Sequence, residues 1–87
     1  MSSSETDLTD RPPLERARWE KQIATRYYEA RLVRDLFGAY QLMRVWGGIG
    51  IARGAIRFYA VTGPAAFVDE LARIDKRRVK RGYVLRL

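Results

Sequence analysis

The sequence predicts an α+β domain, a small antiparallel β-sheet of three to four strands with one long amphipathic helix packed on it. Three observations carry this expectation. Between residues 25 and 61, three stretches alternate apolar and polar side chains with the period of two that a strand with one buried face requires. From residue 64 to about 81, apolar side chains recur at helical spacing behind a Thr-Gly-Pro start. Glycine and aspartate fall between these stretches, where turns are needed. A chain of 87 residues, 47% of them hydrophobic, suffices for one core and not for two.

Residues 1–13, MSSSETDLTDRPP, are rich in Ser, Thr and Asp, hold no aromatic residue and end in two prolines. Such a stretch buries too little surface to offset its ordering entropy, and a disordered tail is expected, with the domain spanning 14–87. Residues 14–24, LERARWEKQIA, combine helical propensity with an imperfect stripe at Leu14, Ala17, Trp19 and Ile23, and read as a short helix or an extended arm. Thr25 to Val33 is the first expected strand, with Tyr28, Ala30 and Leu32 on one face. A loop containing Asp35 and Gly38 leads to a second strand over Tyr40 to Trp46, and the two form an antiparallel hairpin. Glycines 47, 48, 50 and 54 interrupt the pattern before Ile56, Phe58 and Ala60 mark a third strand.

Thr62 or Gly63 is the expected N-cap of the helix, and Pro64 suits its first turn because the missing donor would be unpaired there. Phe67, Leu71 and Ile74 lie at i, i+4 and i+7, which directs Arg73, Lys76, Arg77, Lys80 and Arg81 to other faces. Gly82 stands where a left-handed cap is expected, and Tyr83 to Leu87 can return to the sheet as a short fourth strand.

Composition narrows the chemistry. The sequence contains no cysteine and no histidine, which excludes disulfides and thiolate metal sites and removes the commonest general base and metal ligand. The one adjacent acidic pair, Asp69 and Glu70, lies early in the expected helix, where negative charge suits the dipole. No matched acid and base constellation is present, so a non-catalytic protein with no cofactor, no metal and no small-molecule substrate is expected. No apolar run approaches the roughly 20 residues that cross a bilayer, and the polar, acidic start differs from a signal peptide, so the expected location is the cytoplasm.

The net charge of +7 is unevenly placed. Residues 1–43 hold seven basic and seven acidic residues, whereas residues 44–87 hold ten basic residues against Asp69, Glu70 and Asp75. Six of the eleven residues from Arg73 to Tyr83 are cationic. A cluster of this kind is either a solvated face or the footprint of a polyanion, whose counterions it would release. Attachment to an anionic membrane is not expected, because the apolar residues opposite the cationic face are needed for the core.

The residues Tyr40-Gln-Leu-Met-Arg-Val-Trp-Gly-Gly-Ile-Gly50 resemble the signature of the WGR domain, in which Trp-Gly-Arg is followed by an apolar residue and Gly. Tyr27-Tyr28-Glu29, the loop around Phe37-Gly38 and the segment Lys76-Arg77-Arg78-Val79-Lys80-Arg81-Gly82-Tyr83 extend the similarity to about residues 25–83. Small bacterial proteins consisting of little more than this domain are similar to the chain. In poly(ADP-ribose) polymerases, WGR domains contact damaged DNA, with the motif Trp against a sugar at a strand end. The resemblance therefore implies that Trp46 contacts nucleic acid. Arg44, two residues earlier on a strand, shares the face of Trp46 and can reach a phosphate. The motif Arg is replaced by Gly48, so its role does not transfer; Arg53 and Arg57 are the candidates to substitute.

Each signal also has a plainer reading. Trp46 is equally suited to a core position. The tyrosines on strands fit core or rim, and Trp19 fits an anchor for the arm or part of a partner surface. Gly48-Ile-Gly50-Ile-Ala-Arg53 fails the dinucleotide pattern and lacks the Lys-Ser or Lys-Thr of a phosphate loop, so a tight turn is the sufficient reason for these glycines. The leading expectation is a nucleic-acid-binding module, for DNA ends or breaks, using Trp46, Arg44, Arg53, Arg57, Arg73, Lys76, Arg77, Lys80 and Arg81. The alternative is a protein-interaction module for an acidic partner.

Overall fold

A computed structural model describes residues 15–86. Strand β1 spans Arg16–Lys21, followed by a short 3-10 turn at Gln22–Ala24, then β2 (Arg26–Arg34), β3 (Tyr40–Gly48), β4 (Gly54–Ala60), helix α1 (Pro64–Lys80) and β5 (Val84–Arg86). The strands form one antiparallel five-stranded sheet in the order β4-β3-β2-β1-β5. The α+β class and the β2-β3-β4 meander agree with the sequence reading. The strand count is five and not three to four, because β1 forms a strand. The tail expected at residues 1–13 lies outside the described residues.

β1 was the ambiguous segment, and its pairing explains the outcome. Six residues of β1 register with β2, placing Trp19 opposite Tyr28 and Ala17 opposite Ala30. Ala17 and Trp19 alternate with Arg16, Arg18 and Glu20, so the weak helical stripe is also a period of two, and the sheet selects it. Trp19 pins this segment to the domain, as expected, and does so from within the core. It is 1% exposed, its ring meets Tyr28 edge-on at 6.0 Å, and its indole N–H donates to Asp75 Oδ1 at 2.9 Å.

The core lies between one sheet face and α1. It comprises Ala17, Trp19, Tyr28, Ala30 and Leu42 from the sheet and Phe67, Leu71 and Ile74 from the helix, with Leu32, Trp46, Val61 and Tyr83 packed at its margin. Gly63 is the N-cap and Pro64 opens the helix, as its sequence predicts. At the other end Gly82 has φ +89°, and the N–H groups of Gly82 and Tyr83 donate to the Val79 and Arg78 carbonyls at 3.0 and 2.9 Å. These two bonds satisfy the last carbonyls and turn the chain into β5 beside β1. Among the described residues no helix is long and apolar enough to cross a membrane.

Among the described residues no helix lies on the second sheet face. Around Glu29, which is 5% exposed, the face is ionic: Arg18 donates to Glu29 Oε2 at 2.7 Å and to Glu20 Oε2 at 2.8 Å, and Arg31 reaches Glu29 Oε1 at 3.0 Å. Burial pushes the Glu29 carboxyl up, but hydrogen bonds from Arg18 and Arg31 outweigh it and hold the group below its ordinary value. The same bonds to Glu20 and Glu29 raise the Arg18 guanidinium.

Candidate nucleic-acid interface

The alternation of β3 places Leu42, Arg44 and Trp46 on the face that carries the core, and the cross-strand register sets Tyr28 opposite Trp46, Arg57 opposite Arg44 and Tyr59 opposite Leu42. Leu42 is covered by α1. Toward the C-terminal end of the helix the same face opens into a cleft of about 390 Å³, lined by Arg26, Tyr28, Arg44, Trp46, Tyr59, Arg78, Arg81 and Tyr83. Four arginines and four aromatic rings thus surround one space, and no carboxylate is among the described residues that line it. The volume lies in the range of small-ligand sites.

Aromatic surface forms the walls. Tyr28 and Trp46 are stacked, with centroids 5.9 Å apart and planes 13° from parallel. The Arg78 guanidinium lies 4.5 Å from the Tyr28 ring centroid and 5.1 Å from that of Tyr83, and Arg44 lies 4.6 Å from that of Tyr59. Cation–π contact holds these guanidiniums in place while leaving their N–H edges to donate elsewhere. Arg44 Nε is buried and has no hydrogen-bond partner among the described residues. A buried donor left unpaired costs about 1–3 kcal/mol, which an acceptor would recover only by reaching this atom.

The residues singled out from sequence divide into two surfaces. Trp46, Arg44 and Arg81 line the cleft, and Trp46 is both core and site: half-buried, it packs on the core margin and stacks on Tyr28. Arg57 is exposed beside Arg44, and Arg53 is exposed in the β3–β4 turn. Arg73, Lys76, Arg77 and Lys80 surround a separate, more open recess of about 290 Å³ on the outer face of α1. The sequence places Lys80 next to Arg81, so the two cationic surfaces meet at the helix end.

Sequence reasoning missed Arg26, Tyr28, Tyr59, Arg78 and Tyr83. A signal for Arg78 was present, because it continues the core-facing series Phe67, Leu71, Ile74 by four residues, and an arginine on that stripe must meet aromatic or anionic groups. Gly48, the position of the motif Arg, lies opposite Arg26 on the cleft side of the sheet. Of the four glycines only Gly50, with φ +79°, lies in the β3–β4 turn; Gly47 and Gly48 end β3, and Gly54 opens β4, where a Cβ would lie 2.8 Å from the Trp46 carbonyl oxygen. Among the described residues no group of acidic side chains is arranged to hold a metal ion. No protein-family model, characterised protein or solved structure matches this chain.

Proposed function

We propose that the chain is a non-catalytic nucleic-acid-binding module that takes one nucleotide unit of a DNA strand, at an end or a break, into the arginine-aromatic cleft. The observation that carries this reading is Arg44, whose buried Nε lacks a partner at a cleft that collects four arginines. Phosphate oxygens are acceptors that match guanidinium forks, and the exposed part of Trp46 offers a flat apolar surface to a sugar or base. Arg44, Arg26, Arg78 and Arg81 contact phosphate in this reading, and the outer face of α1, with Arg73, Lys76, Arg77 and Lys80, holds the continuing backbone through long-range attraction. The resemblance of Tyr40 to Gly50 to the WGR signature supports the same assignment of Trp46.

Fluorescence anisotropy with labelled blunt, nicked and single-stranded DNA, at two salt concentrations and with polyglutamate as competitor, tests it. The expected result is binding that favours nicks or ends and falls with salt by about 0.9 in log K per phosphate neutralised, per unit of log salt. Equal competition by polyglutamate would replace the nucleic-acid reading with that of a module for an acidic protein partner.

A further inference from the structure

β4 is an edge strand, and its backbone is arranged to accept a partner. The Val61 N–H donates to the Tyr40 carbonyl at 3.2 Å, one step beyond the Gln41–Ala60 pair of the β3–β4 register. Because paired residues alternate in an antiparallel ladder, residues 55, 57, 59 and 61 bond to β3, and Gly54, Ile56, Phe58 and Ala60 turn their N–H and C=O groups to the outer edge. Among the described residues nothing pairs with that edge. Over Gly54–Ala60 the strand contains no proline and no lysine, and its one charge is Arg57, on the cleft face of the sheet. The opposite edge, β5, is three residues long and carries Arg86.

We propose that β4 pairs antiparallel with β4 of a second copy, across a two-fold axis through Phe58, to give a continuous ten-stranded sheet from two five-stranded ones. The outward-facing even-numbered residues must pair with one another, which leaves three central registers. An axis through Arg57 sets Arg57 against Arg57 in a close, non-hydrogen-bonded pair, and like charges directly opposite are destabilising. An axis through Ile56 sets Phe58 against Gly54 and runs the ends of the pairing into the β3–β4 turn. An axis through Phe58 sets Phe58 against Phe58, Ile56 against Ala60 and, on the cleft side of the sheet, Arg57 against Tyr59 of the second copy.

That register is complementary where the others are not. Ile56 and Phe58 are 51% and 55% exposed in the single chain, and each flank covers the other across the axis. Tyr59 remains 45% exposed with Arg44 already over its ring, so it has surface for a second guanidinium, and the axis delivers Arg57 of the second copy to it. The pairing brings both clefts to the same side of the extended sheet, each flanked by an arginine from the other chain. It stands independently of what the clefts bind.

Sedimentation of the full chain over a wide concentration range reads this directly. The expected species has twice the mass of the 10.1 kDa chain and dissociates on dilution. Phe58→Pro removes only an outward N–H and spares the bonds to β3, so it yields a monomer with unchanged circular dichroism; Phe58→Lys, which places a charge on the axis, does the same without a backbone change. The sequence has no cysteine, so single cysteines report the register. Phe58→Cys sits opposite itself at a Cα separation of about 5.5 Å, suited to a disulfide, and cross-links on mild oxidation, whereas Ile56→Cys does not. A chain that stays monomeric at every concentration, a dimer that survives both Phe58 variants, or faster cross-linking at position 56 overturns the proposal.

Discussion

The guanidinium of Arg44 lies 4.6 Å from the Tyr59 ring centroid, yet its Nε is buried without a hydrogen-bond partner among the described residues. Two opposing contributions meet in this one side chain. Cation–π contact stabilises it by about 0.5–1 kcal/mol, and the unpaired donor costs about 1–3 kcal/mol. The cost is the larger, so on this balance Arg44 adds nothing to the stability of the fold.

Replacing Arg44 with Met is therefore expected to leave thermal stability unchanged or raise it by about 1 kcal/mol, as read by thermal unfolding, because the thioether fills the space with no donor to satisfy. The same substitution weakens DNA binding by roughly ten- to a hundredfold, the loss of a charged hydrogen bond of about 1.5–3 kcal/mol. A large drop in stability with unchanged affinity would make Arg44 a structural residue.

Trp19 is the buried link between β1 and the helix. Asp75→Ala removes the acceptor of its indole N–H and is expected to destabilise the domain by about 1–3 kcal/mol, whereas Asp75→Asn keeps an acceptor and restores most of the loss. Chemical denaturation measures both. Equal effects of the two substitutions would show that the 2.9 Å bond contributes little.

That link also marks where the sequence misled. Arg16 to Lys21 carries Glu, Arg, Ala and Lys, residues of good helical propensity, and its alternation covers only Ala17 and Trp19. Pairing with β2 on one side and β5 on the other decides its conformation, and neither is a local property. The meander and α1 were legible because their periods are long and their ends carry Pro64 and Gly82. Arg44 and Trp46 were legible as a pair because strand alternation puts them on one face. Tyr83 and Arg26 were not, since the turn at Gly82 and the β2–β3 register bring them to the cleft from distant parts of the chain.

Glu29 ties stability to pH on the acid side. Its folded carboxyl sits below its ordinary value of 4.5, so its ion pairs contribute fully above that pH and are lost as pH falls through the folded value. Unfolding followed from neutral pH to below pH 4.5 is expected to show falling stability, and Glu29→Gln is expected to flatten the curve in that window. An unchanged acid slope in the variant would place the titration elsewhere.

Gly48→Arg places a basic residue where the WGR signature that Tyr40 to Gly50 resembles has one. A Cβ at this position would meet the Ile51 Cδ1 atom at 2.8 Å, the flexible end of a side chain that is 62% exposed and able to move aside. The added guanidinium joins Arg26 on the cleft side of the sheet, and the expected outcome is tighter DNA binding with a salt dependence steeper by about one phosphate contact. Titration at several salt concentrations checks this; an unchanged slope would mean that the position does not face the ligand.

The most direct test of the cleft follows the Arg44 Nε–H group itself by ¹⁵N NMR during titration with a short nicked DNA. The expected result is that this resonance shifts and becomes protected from exchange, together with the indole N–H of Trp46 and the side chains of Arg78 and Arg81. Shifts confined to the outer face of α1, from Arg73 to Lys80, with the Arg44 resonance unmoved, would contradict it.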